Sequence, residues 1–132
     1  MESYLDKLKV LKAEKKYNEA ISMLEEVVEE MEKNSKKEAW PAVGPYPYLE
    51  LAKLYSRIKD YNSEIKILER YFSQTLARGQ KKLTMAERYK KACERHNHVM
   101  PKHVESVVNA ILADMNKFEQ DLFGKILKAL EQ

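Results

Sequence analysis

The stretch CERHNHVMPKH, residues 93–103, gathers Cys93, His96, His98 and His103. A thiolate and imidazole nitrogens are zinc ligands, so the first question is whether this cluster holds a metal. On a helix, Cys93 and His96 share a face at i, i+3, while His98 points elsewhere. His103 lies past Pro101, whose bend could return it. Structural zinc sites draw on a second, paired ligand set, and the chain holds only this one cysteine and these three histidines. The cluster therefore reads as a solvated helix end, and neither metal nor cofactor is expected.

Other chemistry is equally thin. Gly44, Gly79 and Gly124 stand far apart, so no glycine-rich phosphate loop exists. Cys93 and His96 are neighbours on a helix end, not a built nucleophile–base pair. Carboxylates sit in runs such as EEVVEEMEK, residues 25–33, which reads as a solvated helix face. The chain is read as non-enzymatic.

Charge is unevenly spread. Residues 78–103 carry eight Lys/Arg against two Asp/Glu, although the whole chain is only +3. Lys81, Lys82, Arg88, Lys90, Lys91 and Arg95 form a basic patch, with Tyr89 available for stacking. Arg88, Lys91 and Arg95 fall on one helical face, and Lys90 does not. Nucleic-acid binding through this segment is the alternative function. An acidic protein is another partner the patch would accept.

The elements that position these residues are helical. With 132 residues, three Gly and four Pro, the chain is expected to be one all-α domain. No apolar run reaches the roughly 18 residues a membrane span needs. The N-terminus lacks a signal-peptide layout, and a single Cys allows no intrachain disulfide, so a cytoplasmic setting is expected. Apolar spacing predicts a first helix over about 3–15, capped by Ser3, with Tyr4, Leu5, Leu8 and Leu11 inward and Val10 at the margin. A second helix starts near Asn18. Residues 34–47 hold Pro41, Gly44, Pro45 and Pro47 and form an irregular connection. Helices follow over about 46–59 and from Asn62, the latter closed by Gly79. A fifth opens on the capping box Thr84-x-x-Glu87 and runs to about His98. The sixth spans about 101–130, with Val104, Val108, Ile111, Met115, Phe118 and Leu122 as a heptad-like seam and Gly124 as a weak point.

One phrase occurs twice. KKYNEAISMLEEV (15–27) aligns without gaps on KDYNSEIKILERY (59–71), a separation of 44 residues. Lys15, Tyr17, Asn18, Ile21, Leu24 and Glu25 match Lys59, Tyr61, Asn62, Ile65, Leu68 and Glu69. Each copy turns one amphipathic helix into the next, which is the mark of a helical repeat. Ala20 becomes Glu64, so the second unit is expected either to pack more loosely there or to give Glu64 a polar partner such as a Lys or a Tyr hydroxyl.

These units resemble the tetratricopeptide repeat. KKYNEAI matches that family's entry to its second helix at Tyr17, Glu19, Ala20 and Ile21. Tyr48, Leu51, Ala52 and Tyr55 fall on its first-helix pattern. The sequence departs at Lys7 and Leu8, in the 44-residue period against the family's period of about 34, and in lacking a closing Pro. The resemblance covers about residues 3–77, with units at about 3–33 and 46–78, and a C-terminal pair of helices at about 82–131 forms a degenerate third unit or a cap. It implies antiparallel helical hairpins stacked as a short array, ending in a long capping or pairing helix. It also implies a groove lined by the first helix of each unit, where Lys9, Lys12, Lys53 and Arg57 would meet an acidic peptide. Trp40, the only tryptophan, reads as a lid over the array or an interface anchor. The expected function is binding another protein, as an adaptor, assembly subunit or small inhibitor. The chain is expected to be a monomer, or a homodimer through its last helix.

Overall fold

The computed structural model describes residues 2–37, 42–77, 79 and 81–131, with side chains described outside 2–3, 115–124 and 131. Among the described residues there are six helices: α1 (Glu2–Ala13), α2 (Tyr17–Ser35), α3 (Tyr46–Arg57), α4 (Tyr61–Phe72), α5 (Lys81–Arg95) and α6 (Lys102–Glu131). Two two-residue strands, β1 (Ala42–Val43) and β2 (Thr75–Leu76), pair in parallel. The fold class is all-α. Each helix packs on the next in sequence, and α4 also meets α6.

Three connections share one turn geometry. Lys15, Lys59 and Asn97 adopt φ of 59°, 63° and 52°. After each, an amide reaches five residues back: Lys16 N–H to the Leu11 carbonyl at 2.9 Å, Asp60 to Tyr55 at 2.8 Å, and His98 to Cys93 at 2.9 Å. A left-handed residue at a helix end lets the following amide satisfy a carbonyl that the helix has left without a partner. The α5–α6 connection is therefore a third hairpin turn, although it lacks the repeated phrase.

Several expected boundaries move. α1 begins ahead of Ser3, and Leu5 and Val10 are exposed. α2 begins one residue before Asn18, with no side-chain cap. α4 is capped by Asp60, whose carboxylate accepts from the Ser63 amide at 3.3 Å. α5 starts at Lys81, so Thr84 lies inside the helix and caps nothing. It ends at Arg95, short of His98. α4 ends at Phe72, so Gly79 does not close it. The α6 backbone runs through position 124 without a break; Met115, Phe118, Leu122 and Gly124 lie outside the described side chains. The described part of the proline-rich connection that follows residue 41 is anchored, because Val43 is fully buried and its carbonyl accepts from the Ala77 amide at 3.2 Å.

One core runs through all three hairpins, from Leu8 and Leu24 through Leu51, Leu68 and Tyr71 to Met85, Val104 and Val108. Each such aliphatic side chain contributes about 1.5–3 kcal/mol by leaving water. Polar seams then fix which hairpin faces meet. Between the first and second hairpins, Glu25 accepts from the Tyr55 hydroxyl at 2.5 Å. Glu32 accepts from the Tyr48 hydroxyl at 2.6 Å and from Arg70 Nε and Nη2, each at 2.9 Å at the closer oxygen. Between the second and third, Glu69 accepts from the Tyr89 hydroxyl at 2.7 Å. The run at 25–33 is thus solvated at Glu26, Glu29 and Glu30. Its ends, Glu25 and Glu32, are structural, which corrects the reading of the whole run as a solvated face.

Candidate protein-binding site

Lys12 sits in the last turn of α1, and Lys53 and Arg57 one turn apart on α3. The fold brings the three together around a depression of about 380 Å³, which Tyr17, Glu50 and Leu54 also line. Their approach follows from the first two hairpins stacking with α1 and α3 on the same side of α2. Glu50 is the centre of the arrangement. It lies on α3 among Leu49, Leu51 and Ala52, and is only 5% exposed. A buried carboxylate needs a cation. Lys12 Nζ supplies one at 3.0 Å, and Lys53 Nζ stands 3.9 Å from its other oxygen.

Arg57 is held differently. Its guanidinium carbon lies 5.2 Å from the centroid of the Tyr17 ring, within cation–π range. Three cations around one carboxylate leave the depression net positive. Tyr46 lies close by; burial, and then the Glu50 carboxylate, raise its phenol above the ordinary value while Lys12 opposes the shift. Lys53 and Arg57 are exposed, so the depression presents cationic groups at the surface.

Of the expected partner-binding residues, Lys12, Lys53 and Arg57 are assembled. Lys9 is exposed on α1 but does not line the depression. Trp40 lies outside the described residues. Glu50 and Tyr17 were missed. The signal for Glu50 was available: it is a single carboxylate inside the apolar run YLELA, in register with core positions.

The basic segment is less free than its composition implies. Tyr89 is fully buried and donates to Glu69, so it offers no stacking face. Arg88 donates from Nε to Glu64 at 2.9 Å. Glu64 is itself only 5% exposed, so the expected polar partner exists, but it is an arginine from the next hairpin and not a Lys or Tyr. Lys81, Lys90, Lys91 and Arg95 remain exposed, with Lys82 half-buried.

The Cys/His stretch is dispersed. Cys93 is buried, which pushes its thiol up and away from reactivity. His96 stacks on Tyr61, ring centroids 4.5 Å apart. His98 Nε2 is 2.7 Å from Glu69, and His103 Nε2 is 3.3 Å from the Ser73 hydroxyl. His96 and His98 reach α4 and His103 reaches Ser73 at its C-terminal cap, so the three tie the third hairpin to the second. Among the described residues no group of three or more His, Cys, Asp or Glu is placed to hold a metal ion. No helix of the described residues is long and apolar enough to cross a membrane. Comparison of the chain with family models, curated proteins and solved structures finds no match.

Proposed function

We propose that the chain is a non-enzymatic interaction module that takes an acidic segment of another protein on its α1–α3 face. The observation that carries the reading is the convergence of Lys12, Lys53 and Arg57 on one net-positive depression, from helices some forty residues apart in sequence. Pre-positioned cations favour the encounter with an anionic partner and fix its register. The resemblance of residues 3–77 to tetratricopeptide units supports the same face, since first helices line the ligand groove in that family. In this reading the protein is an adaptor, an assembly subunit or a small inhibitor. A lone cysteine accords with a reducing, cytoplasmic setting.

Affinity capture from the native cell, followed by identification of bound proteins, tests the reading. Lys53→Glu with Arg57→Glu should release a captured acidic partner while leaving helicity unchanged, because neither side chain is buried. Lys12 is left intact in this variant, since Glu50 depends on it. Retention of every partner by the double variant would remove the α1–α3 face from consideration.

A further inference from the structure

Among the described residues that line the α1–α3 depression, Glu50 alone is acidic. Packing does not ask for a charge there. α3 already buries Leu49, Leu51, Ala52 and Leu54 around it. A buried ion pair replaced by apolar side chains of similar volume is often neutral or even stabilising. A carboxylate at such a position points to a task other than holding α1 on α3.

The two oxygens of Glu50 are divided between two lysines. Oε2 accepts from Lys12 Nζ at 3.0 Å, while Oε1 stands 3.9 Å from Lys53 Nζ, beyond hydrogen-bond reach. The lysine side chains are 44% and 51% exposed, and that of Glu50 is 7% exposed. The cations therefore face water with the anion beneath them. Arg57 rests on the Tyr17 ring instead. The field of the carboxylate is not confined to Lys12, because after burial it is the next cause that raises the Tyr46 phenol.

A ligand carboxylate that reaches Lys12 or Lys53 shares its cation with Glu50. It also meets a like charge in a half-buried site, where water and salt screen less than at an open surface. Glu50 orders the lysines as well, which favours binding by lowering the cost of fixing them. Only Lys12 is within hydrogen-bond distance, so that ordering is confined to one side chain, whereas the repulsion acts across the whole depression. We infer that Glu50 is a resident counter-anion, an autoinhibitory contact that holds Lys12 and Lys53 before an acidic segment arrives and weakens the binding of that segment. The inference rests on the α1–α3 face as the place where the segment binds.

The test is titration of a fluorescent hexaglutamate peptide with the full chain at low salt, followed by anisotropy, once helicity and the denaturant midpoint of each variant have been checked. Glu50→Gln removes the charge but keeps an oxygen for Lys12, and it should tighten binding about tenfold. Glu50→Leu should act in the same direction. Glu29→Gln makes the same change in net charge from an exposed position on α2, about 18 Å along the helix from Tyr17. It should alter binding less than about twofold. Adding Lys53→Glu and Arg57→Glu to Glu50→Gln should abolish the gain. Unchanged or weaker binding by folded Glu50→Gln, with the wild type bound through Lys53 and Arg57, overturns the inference and leaves the acidic-partner reading standing. An equal gain from Glu29→Gln, or a gain that survives the loss of Lys53 and Arg57, overturns the inference too. Peptide binding by none of the forms overturns both.

Discussion

The two seams between hairpins solve one packing problem with different cations. In both, a carboxylate at the same repeat position accepts a tyrosine hydroxyl from the first helix of the next hairpin: Glu25 from Tyr55, Glu69 from Tyr89. In the first seam Arg70 then grips Glu32 through two nitrogens and approaches Glu25 at 3.6 Å. In the second, Glu69 has His98, a cation only when protonated, and the arginine goes instead to Glu64. The carboxylate–tyrosine clasp is thus the repeated element, and the cation that completes it is free to vary. A half-buried arginine pair gives the first seam a charge that ordinary pH does not change.

Alkaline pH should break both seams together, and this is the largest effect expected. Burial raises the phenols of Tyr48, Tyr71 and Tyr89 above the ordinary value of 10.0, with Tyr71 pushed up to about 12. The Glu32 and Glu69 carboxylates that accept from Tyr48 and Tyr89 raise those two further. A raised folded-state value means that the folded protein keeps a proton the unfolded chain has lost. The stabilisation is therefore complete below pH 10 and disappears as pH climbs through the folded values. Each such tyrosine should remove about 1.4 kcal/mol per pH unit above 10. Denaturant midpoints followed between pH 8 and 12 should be flat and then fall steeply, with phenolate absorbance rising alongside unfolding. Ionisation of every tyrosine in a still-folded protein would contradict the burial argument.

Arg88→Leu should be the most damaging single change in the second seam. It strands the Glu64 carboxylate, whose side chain is 6% exposed, while Arg88 itself is 30% exposed. Breaking a buried pair costs about 3–5 kcal/mol, and the partial exposure of Arg88 lowers this to about 2–3. Adding Glu64→Ala restores the residue that the first copy carries as Ala20. Denaturant unfolding of the double variant should return to within about 1 kcal/mol of the wild type. Failure to recover would show that Glu64 does more than answer Arg88.

Tyrosine-to-phenylalanine changes sharpen the comparison further. Removing the hydroxyl of Tyr48 or of Tyr89 deletes a bond to a charged acceptor, which costs about 1.5–3 kcal/mol. Tyr89→Phe should fall at the upper end, because Glu69 keeps only His98, whereas Glu32 keeps two bonds from Arg70. The reverse order in thermal or denaturant unfolding would mean that the cation does not set the strength of the seam. Smallest is Tyr71→Phe. The Tyr71 hydroxyl is buried without a hydrogen-bond partner among the described residues, so its loss should be neutral or stabilising by up to about 1 kcal/mol.

The repeated phrase made the first two hairpins legible, because its side chains report a backbone turn. The third hairpin was legible only as a helical pair that could be a degenerate unit or a cap, since the turn at Asn97 needs only a left-handed residue and its amide, and neither requires the letters of the other two copies. Short-range rules misplaced helix starts at Ser3, Asn18 and Thr84; α2 opens at Tyr17 without a side-chain cap, and α1 and α5 begin before the residues expected to cap them. The depression was half legible: Lys12, Lys53 and Arg57 were implied by the tetratricopeptide resemblance, but Glu50 acts through burial. Glu25 and Glu32 were hidden for the same reason, whereas Glu64 stood out as the counterpart of Ala20 and only its partner, Arg88, was not legible. A carboxylate in a charge run and one in a seam look alike until the neighbouring helix supplies its donor.

The most direct measurement compares proteins captured from the native cell by three forms of the chain: wild type, Lys53→Glu with Arg57→Glu, and Lys81→Glu, Lys82→Glu, Lys90→Glu with Lys91→Glu. An acidic protein held by the wild type and by the third form, and lost from the second, is the expected result. Salt-sensitive nucleic acid lost only from the third form, with no protein dependent on Lys53 and Arg57, would contradict it.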